Sequence, residues 1–438
     1  CGVEQVAGTD HEEFGGVTVS NWVTTTVREL VENQIIERPM DGNHGSIHPK
    51  SSDYVEDGIP FIMASDISNG KIDFTNCAKI TKEQALKLRK GFSKSGDVLL
   101  THKGTLGLTA IVPNLKTDFI ILTPQVTYYR VIDRTKLNNR YLYYYFQTPY
   151  FQQSLKNWAG SGSTRAYIGI TDQLNLSITL PPINVQEKIS EILGSLDDKI
   201  ELNRRMNETL EQMAMVLYKH WFVDFGPFEQ DNEDLPDGWK WRTLKDIAYL
   251  HKQQVDPSEL EEKCPYIGLE HMPKGSISLE EWGDSSSVIS QKLRFQKGDI
   301  LFGKLRPYFK KVGVAPIDGV CSTDIYVLRP AREEYFGMLL GQVIQDSFID
   351  FCTSSSSGTR MPRCDWNEMG KYPVPMAPVN VIQEFNDKIR GFVDQIIANI
   401  HENKCLIETR DYLLPRLLSG EIEVREAEEQ VEEVLANA

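Results

Sequence analysis

The chain is internally duplicated, and this limits what it can fold into more than any other feature of the sequence. Four short anchors occur twice in the same order, at a spacing much longer than the 20–50 residues of solenoid repeats. The first copy has Asn21-Trp22-Val23, Ile59-Pro60-Phe61-Ile62, Gly96-Asp97-Val98-Leu99 and Gly162-Ser163-Thr164-Arg165. The second has Gly238-Trp239-Lys240, Cys264-Pro265-Tyr266-Ile267, Gly298-Asp299-Ile300-Leu301 and Ser357-Gly358-Thr359-Arg360. Each copy is therefore a whole domain followed by a helix.

The two copies differ in their loops. The offset between paired anchors falls from 217 residues at the first pair to 195 at the last, so the ends and turns are shared while the intervening segments have diverged. In each copy, short β-rich runs alternate with brief helical stretches, at Asn139–Asn157 and Glu334–Phe351. We predict two similar domains of mixed α/β (α+β) structure on one scaffold, with different binding surfaces.

These patterns divide the chain into six predicted segments. They are a first domain at 1–183, a spacer helix at 184–223, a linker at 224–234, a second domain at 235–379, a second spacer helix at 380–420 and an acidic C-terminal tail at 421–438.

Both predicted helices carry an unbroken heptad seam, which is typical of coiled coils. The first seam is Ile189, Leu193, Leu196, Ile200, Asn203, Asn207, Leu210, Ala214, Leu217 and Trp221. The second is Phe385, Ile389, Phe392, Ile396, Asn399, Asn403, Leu406, Arg410, Leu413 and Leu417. A helix of about 36 residues is about 54 Å long, which is enough to hold two domains apart.

The net charge of −15 is concentrated in the two helical regions. Residues 184–234 carry 5 basic and 12 acidic residues, and residues 380–438 carry 6 and 13. The two domains are close to neutral, so each can still present a basic face to nucleic acid. The acidic segments either meet a basic partner or are solvated helix surfaces.

The cysteines and the apolar runs indicate a cytoplasmic protein. The 7 cysteines are scattered and form no C-x-x-C pair, as expected for thiols in a reducing compartment. No apolar run approaches the length of a membrane span, and the first twenty residues lack the features of an export signal. We predict no membrane partner.

Motifs for catalysis are missing. A DNA methyltransferase needs an Asn/Asp-Pro-Pro-aromatic loop, whereas the double proline Pro181-Pro182 follows a leucine. The Lys103-Gly104 and Gly303-Lys304 pairs do not complete a nucleotide-binding G-x-x-x-x-G-K-[ST] motif. His44 and His48 have helical ligand spacing but no third ligand nearby, which argues against a metal site. We therefore predict a non-catalytic chain with no cofactor of its own.

Basic residues near the repeated turns are candidates for contact with nucleic acid. The Ser/Gly-rich loops 160–165 and 353–360 each contain one arginine, Arg165 or Arg360, which suits phosphate or guanine contacts. The alternative is a flexible loop with a solvated arginine. Further candidates follow the repeated Gly-Asp strands: His102, Lys103, Lys304, Arg306, Lys310 and Lys311.

In their order and duplication, these motifs resemble the specificity subunits of type I restriction–modification systems. The resemblance covers roughly residues 17–424. It is carried by the domain opening from Trp239 to Ile247, the doubled Gly-Asp turns, the doubled Thr-Arg loops and the helix starts at Pro182-Ile183-Asn184-Val185-Gln186-Glu187 and Pro378-Val379-Asn380-Val381-Ile382-Gln383-Glu384. The second helix ends in Leu413-Leu414-Pro415-Arg416-Leu417-Leu418-Ser419-Gly420-Glu421-Ile422, a run closely associated with this family.

The resemblance implies a fold and a set of partners. Each domain would be a target-recognition domain that reads one half of a split double-stranded DNA site, while the helices fix the gap. Two DNA methyltransferase subunits and restriction subunits would join the complex, and S-adenosylmethionine, ATP and Mg²⁺ would bind to those partners. Two alternatives remain: a coiled-coil scaffold with two protein-binding domains, and the recognition half of a single-chain restriction enzyme.

Two recognition domains that reach separate half-sites must be carried to opposite ends of the helix pair. We therefore predict antiparallel helices and a pseudo-twofold repeat, with Asn203 near Asn403 and Asn207 near Asn399. Asparagines in such a seam weaken it, but they penalise shifted registers that would bury their amides against leucine. In the alternative arrangement they turn outward or towards a partner subunit.

Overall fold

The computed structural model describes residues 21–159, 166–228, 235–356, 358 and 361–436. The chain divides into two compact units. The first unit lies within Cys1–Asp197 and Glu408–Ala438, and the second is Asp198–Ile407. Each unit therefore contains one of the duplicated domains together with parts of both long helices.

In the described part of the first unit, the strands are β1 (Val23–Thr26), β2 (Met40–Asp41), β3 (Tyr54–Ile62), β4 (Ile67–Ser68), β5 (Lys71–Ile72), β6 (Ala78–Ile80), β7 (Phe92–Ser93), β8 (Val98–Lys103), β9 (Thr105–Ile111), β10 (Ile120–Leu122), β11 (Val126–Tyr129) and β12 (Ser177–Leu180). They form four-stranded sheets in the orders β6-β3-β10-β7 and β2-β11-β8-β9, and the pairs β1-β12 and β4-β5. Strands β3 and β10 run parallel, with Phe61 beside Ile121.

The helices of the first unit are α1 (Val27–Glu32), α2 (Lys82–Leu86), α3 (Asn139–Gln147), α4 (Pro149–Trp158), α5 (Ile170–Gln173) and the first part of α6 (Ile183–Phe222). The single helical stretch predicted over Asn139–Asn157 is therefore two helices. Thr148 precedes Pro149, which disfavours a helical backbone, and Thr148 is extended with ψ of 143°. Its side chain accepts a hydrogen bond from the Phe151 amide and so caps α4.

In the described part of the second unit, the strands are β13 (Lys240–Thr243), β14 (Ala248–His251), β15 (Gln254–Val255), β16 (Pro265–Ile267), β17 (Gly283–Asp284), β18 (Lys292–Phe295), β19 (Ile300–Gly303), β20 (Val312–Val314), β21 (Gly319–Cys321), β22 (Ile325–Pro330) and β23 (Pro373–Met376). They form sheets in the orders β14-β22-β19-β20 and β15-β18-β21-β16-β17, and the pair β13-β23.

The shorter helices of the second unit are α7 (Leu244–Ile247), α8 (Phe336–Val343), α9 (Asp346–Ser354) and α10 (Trp366–Met369). The stretch predicted over Glu334–Phe351 is divided as well. Its break falls before α9, where Gln345 is extended with φ of −69° and ψ of 142°.

The two units repeat one topology, as the duplicated anchors predict. The order β11-β8-β9 in the first unit corresponds to β22-β19-β20 in the second. The parallel pair β3-β10 corresponds to β16-β21. The opening helices even share a capping box, Thr26 with Glu29 and Thr243 with Asp246. The predicted mixed α/β class and the internal repeat are confirmed.

The second long helix is α11 (Val379–Ser419). In the second unit, Asn203 and Asn207 of α6 contact Asn403 and Asn399 of α11, so position rises along one helix as it falls along the other. The helices are antiparallel, as predicted. Apart from Arg410, the seam is apolar on either side of the asparagines. Burial of each leucine, isoleucine or phenylalanine there contributes about 1.5–3 kcal/mol. Its fully buried members include Ile189, Leu193, Leu196, Phe385, Leu406 and Leu413.

Helix α11 ends before Gly420, which has φ of +75° and so provides a left-handed helix terminus. A further helix, α12 (Val424–Ala436), follows within the segment predicted as an acidic tail. It buries Ala427 and Val431, and its Glu428 lies 3.1 Å from the Lys188 ammonium. Among the helices of the described residues, none combines the length and apolar character needed to cross a membrane.

Candidate nucleic-acid interface

A Gly-Asp turn anchors the central strand of the first unit. Gly96 has φ of +86°, a conformation that favours glycine. The buried Asp97 carboxylate accepts a 2.7 Å hydrogen bond from the Lys94 amide. Arg130 donates from Nε and Nη2 to the two Asp97 oxygens, at 2.8 Å each. This bidentate contact fixes the turn that leads into β8.

The second unit repeats the main contacts of this turn. Gly298 has φ of +87°, and Asp299 accepts a 2.7 Å hydrogen bond from the Gln296 amide. Arg329 donates to the two Asp299 oxygens at 2.6 and 2.8 Å. The repeated Gly-Asp pairs therefore support the strands that follow them, and those strands end at the predicted DNA contacts.

In the first unit, β8 ends at exposed Lys103, where three segments meet. The His102 amide donates to the Gln125 carbonyl at 2.9 Å, and the Ile168 amide donates to the His102 carbonyl at 3.0 Å. Lys103 forms a β-bridge with Tyr167, and its ammonium lies 5.7 Å from the centre of the Tyr167 ring. We call Lys103, Gln125 and Tyr167 the first strand-end surface.

In the second unit, the chain that follows β19 makes the same main-chain bonds, with Lys304 in the place of His102 and Leu305 in the place of Lys103. The Lys304 amide donates to the Asp324 carbonyl, and the Cys364 amide donates to the Lys304 carbonyl, both at 3.0 Å. Leu305 forms a β-bridge with Arg363, and Arg363 Nε donates to Asp324 Oδ1 at 3.0 Å. We call Lys304, Asp324 and Arg363 the second strand-end surface.

The two surfaces share main-chain bonds but not side chains. Where the first has the neutral amide of Gln125 and the ring of Tyr167, the second has an ion pair between Asp324 and Arg363. Sequence reasoning missed these four residues because they lie far along the chain from the Gly-Asp turns. The bridge partners can be identified only when the pairing of the strand ends is known.

His102 is placed differently from the surface contact that the sequence suggests. Its side chain is fully buried, and its Nδ1 lies 2.9 Å from the Ile168 carbonyl oxygen. Burial lowers the pKa of His102, and the hydrogen bond to Ile168 opposes this shift. Because alternate residues of a strand face opposite sides, Lys103 faces the solvent whereas His102 packs into the interior of the unit. His102 therefore positions the strand end and offers DNA no surface.

Arg306 occupies a strained position after the second strand-end surface. It has φ of +52°, and Gly104 at the matching place has φ of +82°. The Arg306 amide donates to the Pro362 carbonyl at 2.8 Å, as the Gly104 amide donates to the Ala166 carbonyl at 3.1 Å. A left-handed conformation at an arginine costs energy that the surrounding bonds must offset, and such positions cluster at functional sites.

The remaining predicted lysines lie close to Arg306. Lys310, with φ of +50°, is exposed and its ammonium lies 2.6 Å from an Asp346 oxygen. Lys311 is half-buried and donates to the Leu269 carbonyl, and burial lowers its pKa. Lys304 lies over the Tyr326 ring, with 4.8 Å between its ammonium and the ring centre.

Between Arg306 and Lys310 the chain presents an exposed aromatic residue. Tyr308 is 47% exposed. A ring flanked by cations is a feature of nucleic-acid-binding surfaces. The run Arg306-Pro307-Tyr308-Phe309-Lys310 could have been singled out from the sequence by this pattern.

Arg165 and Arg360 lie outside the described residues, and their contact with DNA stays a prediction. The chain that follows each of their loops is described. Ala166 and Pro362 accept the hydrogen bonds that close the first and second strand ends. The two Thr-Arg loops therefore lead directly into the two strand-end surfaces.

The helix asparagines form two buried pairs in the second unit. Asn203 Nδ2 donates to Asn403 Oδ1 at 2.9 Å, and Asn399 Nδ2 donates to Asn207 Oδ1 at 2.8 Å. All four residues are at least 97% buried. The asparagines thus face each other inside the pair, and their role as a register pin remains a prediction.

Nothing among the described residues suggests a metal centre. No group of three or more His, Cys, Asp or Glu side chains there is suited to hold a metal ion. His44 lies 3.0 Å from Asp41, and His48 Nδ1 lies 3.0 Å from the Asn43 carbonyl, so both histidines have protein partners.

Comparison with known proteins gives a family match over most of the chain. The profile of the "Type I restriction modification DNA specificity domain" matches residues 20–212 and again residues 236–408. The MjaIX specificity subunit of a type I restriction enzyme from Methanocaldococcus jannaschii is 26% identical over 404 residues, covering 86% of this chain and 90% of that protein. The HindI specificity subunit from Haemophilus influenzae is 24% identical, covering 83% and 94%.

A solved structure supports the fold. The chain is similar to a type I restriction–modification system S subunit from M. genitalium, with a TM-score of 0.57 and 16% sequence identity. The similarity covers 91% of this chain and 96% of that subunit. At this identity the likeness concerns the architecture alone.

Proposed function

Because this chain belongs to the family of type I restriction modification DNA specificity domains, we propose that it is the DNA-reading subunit of a type I restriction–modification complex. It reads a bipartite, asymmetric double-stranded site, with one half read by each unit. The observation that carries this proposal is the pair of strand-end surfaces, which have matching backbones and different side chains.

The chemistry of the two surfaces supports recognition of different bases. The Gln125 amide both donates and accepts, which suits an adenine edge. The equivalent Asp324 only accepts, and its partner Arg363 only donates. Cationic Lys103 and Lys304 suit guanine edges or phosphates. A duplicated scaffold with such different groups reads two unlike half-sites.

The helix pair acts as the ruler between the half-sites. Helices α6 and α11 contain 40 and 41 residues, which correspond to about 60 Å each. One turn of B-DNA is about 34 Å, so the helices are long enough to separate two reading domains. The buried asparagine pairs hold the register of this ruler.

An exposed apolar stripe on α6 supports docking of partner subunits. Leu202, Met206, Met213 and Val216 are 53%, 38%, 47% and 67% exposed, and their spacing places them on one side of the helix. Exposed apolar stripes of this kind mark protein interfaces. We assign the stripe to a helix of a DNA methyltransferase subunit, two of which join the complex.

In this proposal the chemistry belongs to the partners. The methyltransferase subunits bind S-adenosylmethionine, and the restriction subunits bind ATP and Mg²⁺. The chain directs both to the site without catalysis of its own, and the complex acts in the cytoplasm.

A DNA-binding measurement over a salt series tests the proposal against a purely protein-binding scaffold. The chain, bound to its methyltransferase subunits, should retard duplex DNA with an affinity that falls as salt rises. Lys304→Ala and Arg306→Ala should weaken binding, whereas Lys371→Ala, at an exposed lysine on another loop, serves as the matched control. Salt-independent or absent binding would support the scaffold.

A further inference from the structure

The first unit contains a cavity of about 380 Å³ next to the first strand-end surface. Lys103 and Gln125 line the cavity and also belong to that surface, so the two are continuous. His44, His48 and Thr123 lie in the wall. A ligand held against the strand end therefore has direct access to these side chains.

Hydrogen bonds determine which ring nitrogen of His44 and of His48 carries a hydrogen. His44 Nε2 lies 3.0 Å from Asp41 Oδ2, and His48 Nδ1 lies 3.0 Å from the Asn43 carbonyl. Carboxylate and carbonyl oxygens only accept, so these ring nitrogens carry the hydrogens. The Thr123 hydroxyl and the side-chain oxygen of Gln125 can accept hydrogen bonds, so the lining residues include acceptors as well as the donor Lys103.

Thr123 adds an independent sign that a ligand belongs here. It is 5% exposed, and its hydroxyl has no hydrogen-bond partner among the described residues. A buried hydroxyl without a partner costs stability, and a polar ligand group would remove that cost. Valine would fill nearly the same space without a buried polar atom.

The side chains that line the cavity indicate whether it binds a phosphate or a base edge, the two parts of DNA that could reach a strand end. A phosphate only accepts, so it could pair with Lys103 but would leave the side-chain oxygen of Gln125 without a donor. A base edge presents donors and acceptors together. The Gln125 amide matches this mixture, and Gln125 is exposed at the mouth of the cavity.

We propose that this cavity receives base edges of the first DNA half-site, and that His48, Thr123 and Gln125 determine which bases are accepted. This inference rests on the proposed function. It assigns base recognition in the first unit to a pocket, in addition to the basic residues that the sequence predicts.

Single variants in the methyltransferase complex test the pocket. Gln125→Ala, His48→Ala and Thr123→Val should each lower discrimination between matched and mismatched bases at one or two positions of the first half-site, by roughly 5- to 100-fold. Discrimination in the second half-site should not change. Gln153→Ala, at an exposed glutamine away from the cavity, is the matched control.

The readout is methylation of an oligonucleotide panel that carries every base at each position, together with the salt dependence of binding. Thr123→Val should melt no lower than the unchanged protein, because it removes an unpartnered hydroxyl. Uniform weakening with a salt slope reduced by about one would assign the cavity to a phosphate and overturn the proposal. Unchanged discrimination in all three variants would also overturn it. If the unchanged complex discriminates no bases at all, the proposed function itself fails.

Discussion

The side-chain amide of Asn203 donates a 2.9 Å hydrogen bond to the side-chain oxygen of Asn403, 200 residues along the chain. Both residues are buried in the helix pair, and Asn207 and Asn399 form a second such bond at 2.8 Å. Each pair makes this one bond while an amide nitrogen, that of Asn403 or Asn207, has no partner among the described residues. These unpartnered amides lower the stability of the helix pair, and we predict that in return the pairs select its register.

Single and double substitutions should separate these two effects. Asn203→Leu removes the partner of Asn403 and leaves a buried polar group, so the free energy of unfolding should fall by about 1–3 kcal/mol. Asn203→Leu with Asn403→Leu should recover most of that loss. Chemical denaturation measures both, with Asn380→Leu at an exposed position of α11 as the control. Losses that simply add in the double variant would show that the two amides do not interact.

Replacement of all four asparagines should loosen the register. With leucine at Asn203, Asn207, Asn399 and Asn403, shifted pairings no longer bury an amide, so the penalty against them disappears. Methylation mapping should then find sites with more than one spacer length. A single, unaltered spacer length in the quadruple variant would reject the register role.

The first unit has a charged cluster where the second is apolar. Arg410 donates to Asp197 at 2.8 Å, and the Tyr144 hydroxyl donates to the same carboxylate at 2.7 Å. The equivalent seam positions in the second unit are Ala214 and Val393, both buried. The two copies thus pack different side chains, charged in one unit and apolar in the other, at the same place in the helix pair.

Breaking this cluster from one side should be costly. Arg410→Ala leaves the Asp197 carboxylate half-buried without its cation, and the free energy of unfolding should fall by about 1–3 kcal/mol after allowance for solvent screening. Adding Asp197→Val, which copies the second unit, should restore much of it. Thermal melting with Arg205→Ala, at an exposed arginine of α6, as control gives the comparison. A double variant no more stable than Arg410→Ala would contradict this.

His102 should make stability depend on pH. Burial lowers its pKa from the ordinary 6.5, so the unfolded chain takes up the proton more readily than the folded one. Well above pH 6.5 both states are neutral and His102 contributes no pH dependence. As the pH falls through 6.5, the free energy of unfolding should fall until the lowered pKa is reached. His102→Asn, which retains a donor for Ile168, should flatten this slope. A slope in His102→Asn equal to that of the unchanged protein would contradict the assignment.

The duplication made much of the fold predictable. Anchors such as Gly96 and Gly298 mark the same turn because both need a left-handed backbone, and the heptad spacing predicts the two long helices that the structure shows as α6 and α11. The break at Thr148 was missed because the apolar periodicity continues across Pro149, and steric exclusion before proline prevailed over that pattern.

The candidate site was less predictable, as the neighbouring residues His102 and Lys103 illustrate. His102 and Lys103 look equally available in the sequence, but strand alternation buries one and exposes the other. Gln125, Tyr167 and Arg363 carry no local signal, because their importance comes from long-range pairing with the strand ends. Local patterns therefore located the scaffold, and tertiary pairing decided which side chains face outward.

In the proposed function, two similar units read two different half-sites at a fixed separation. The decisive measurement is a map of methylated adenines across the genome, with and without this chain. We predict a motif of two unlike halves separated by an unread spacer of well under one and a half helical turns, and exchange of residues 17–183 for those of a relative should change one half only. A single continuous motif, a perfect palindrome, or a change in both halves after the exchange would show that the two units do not read separate half-sites.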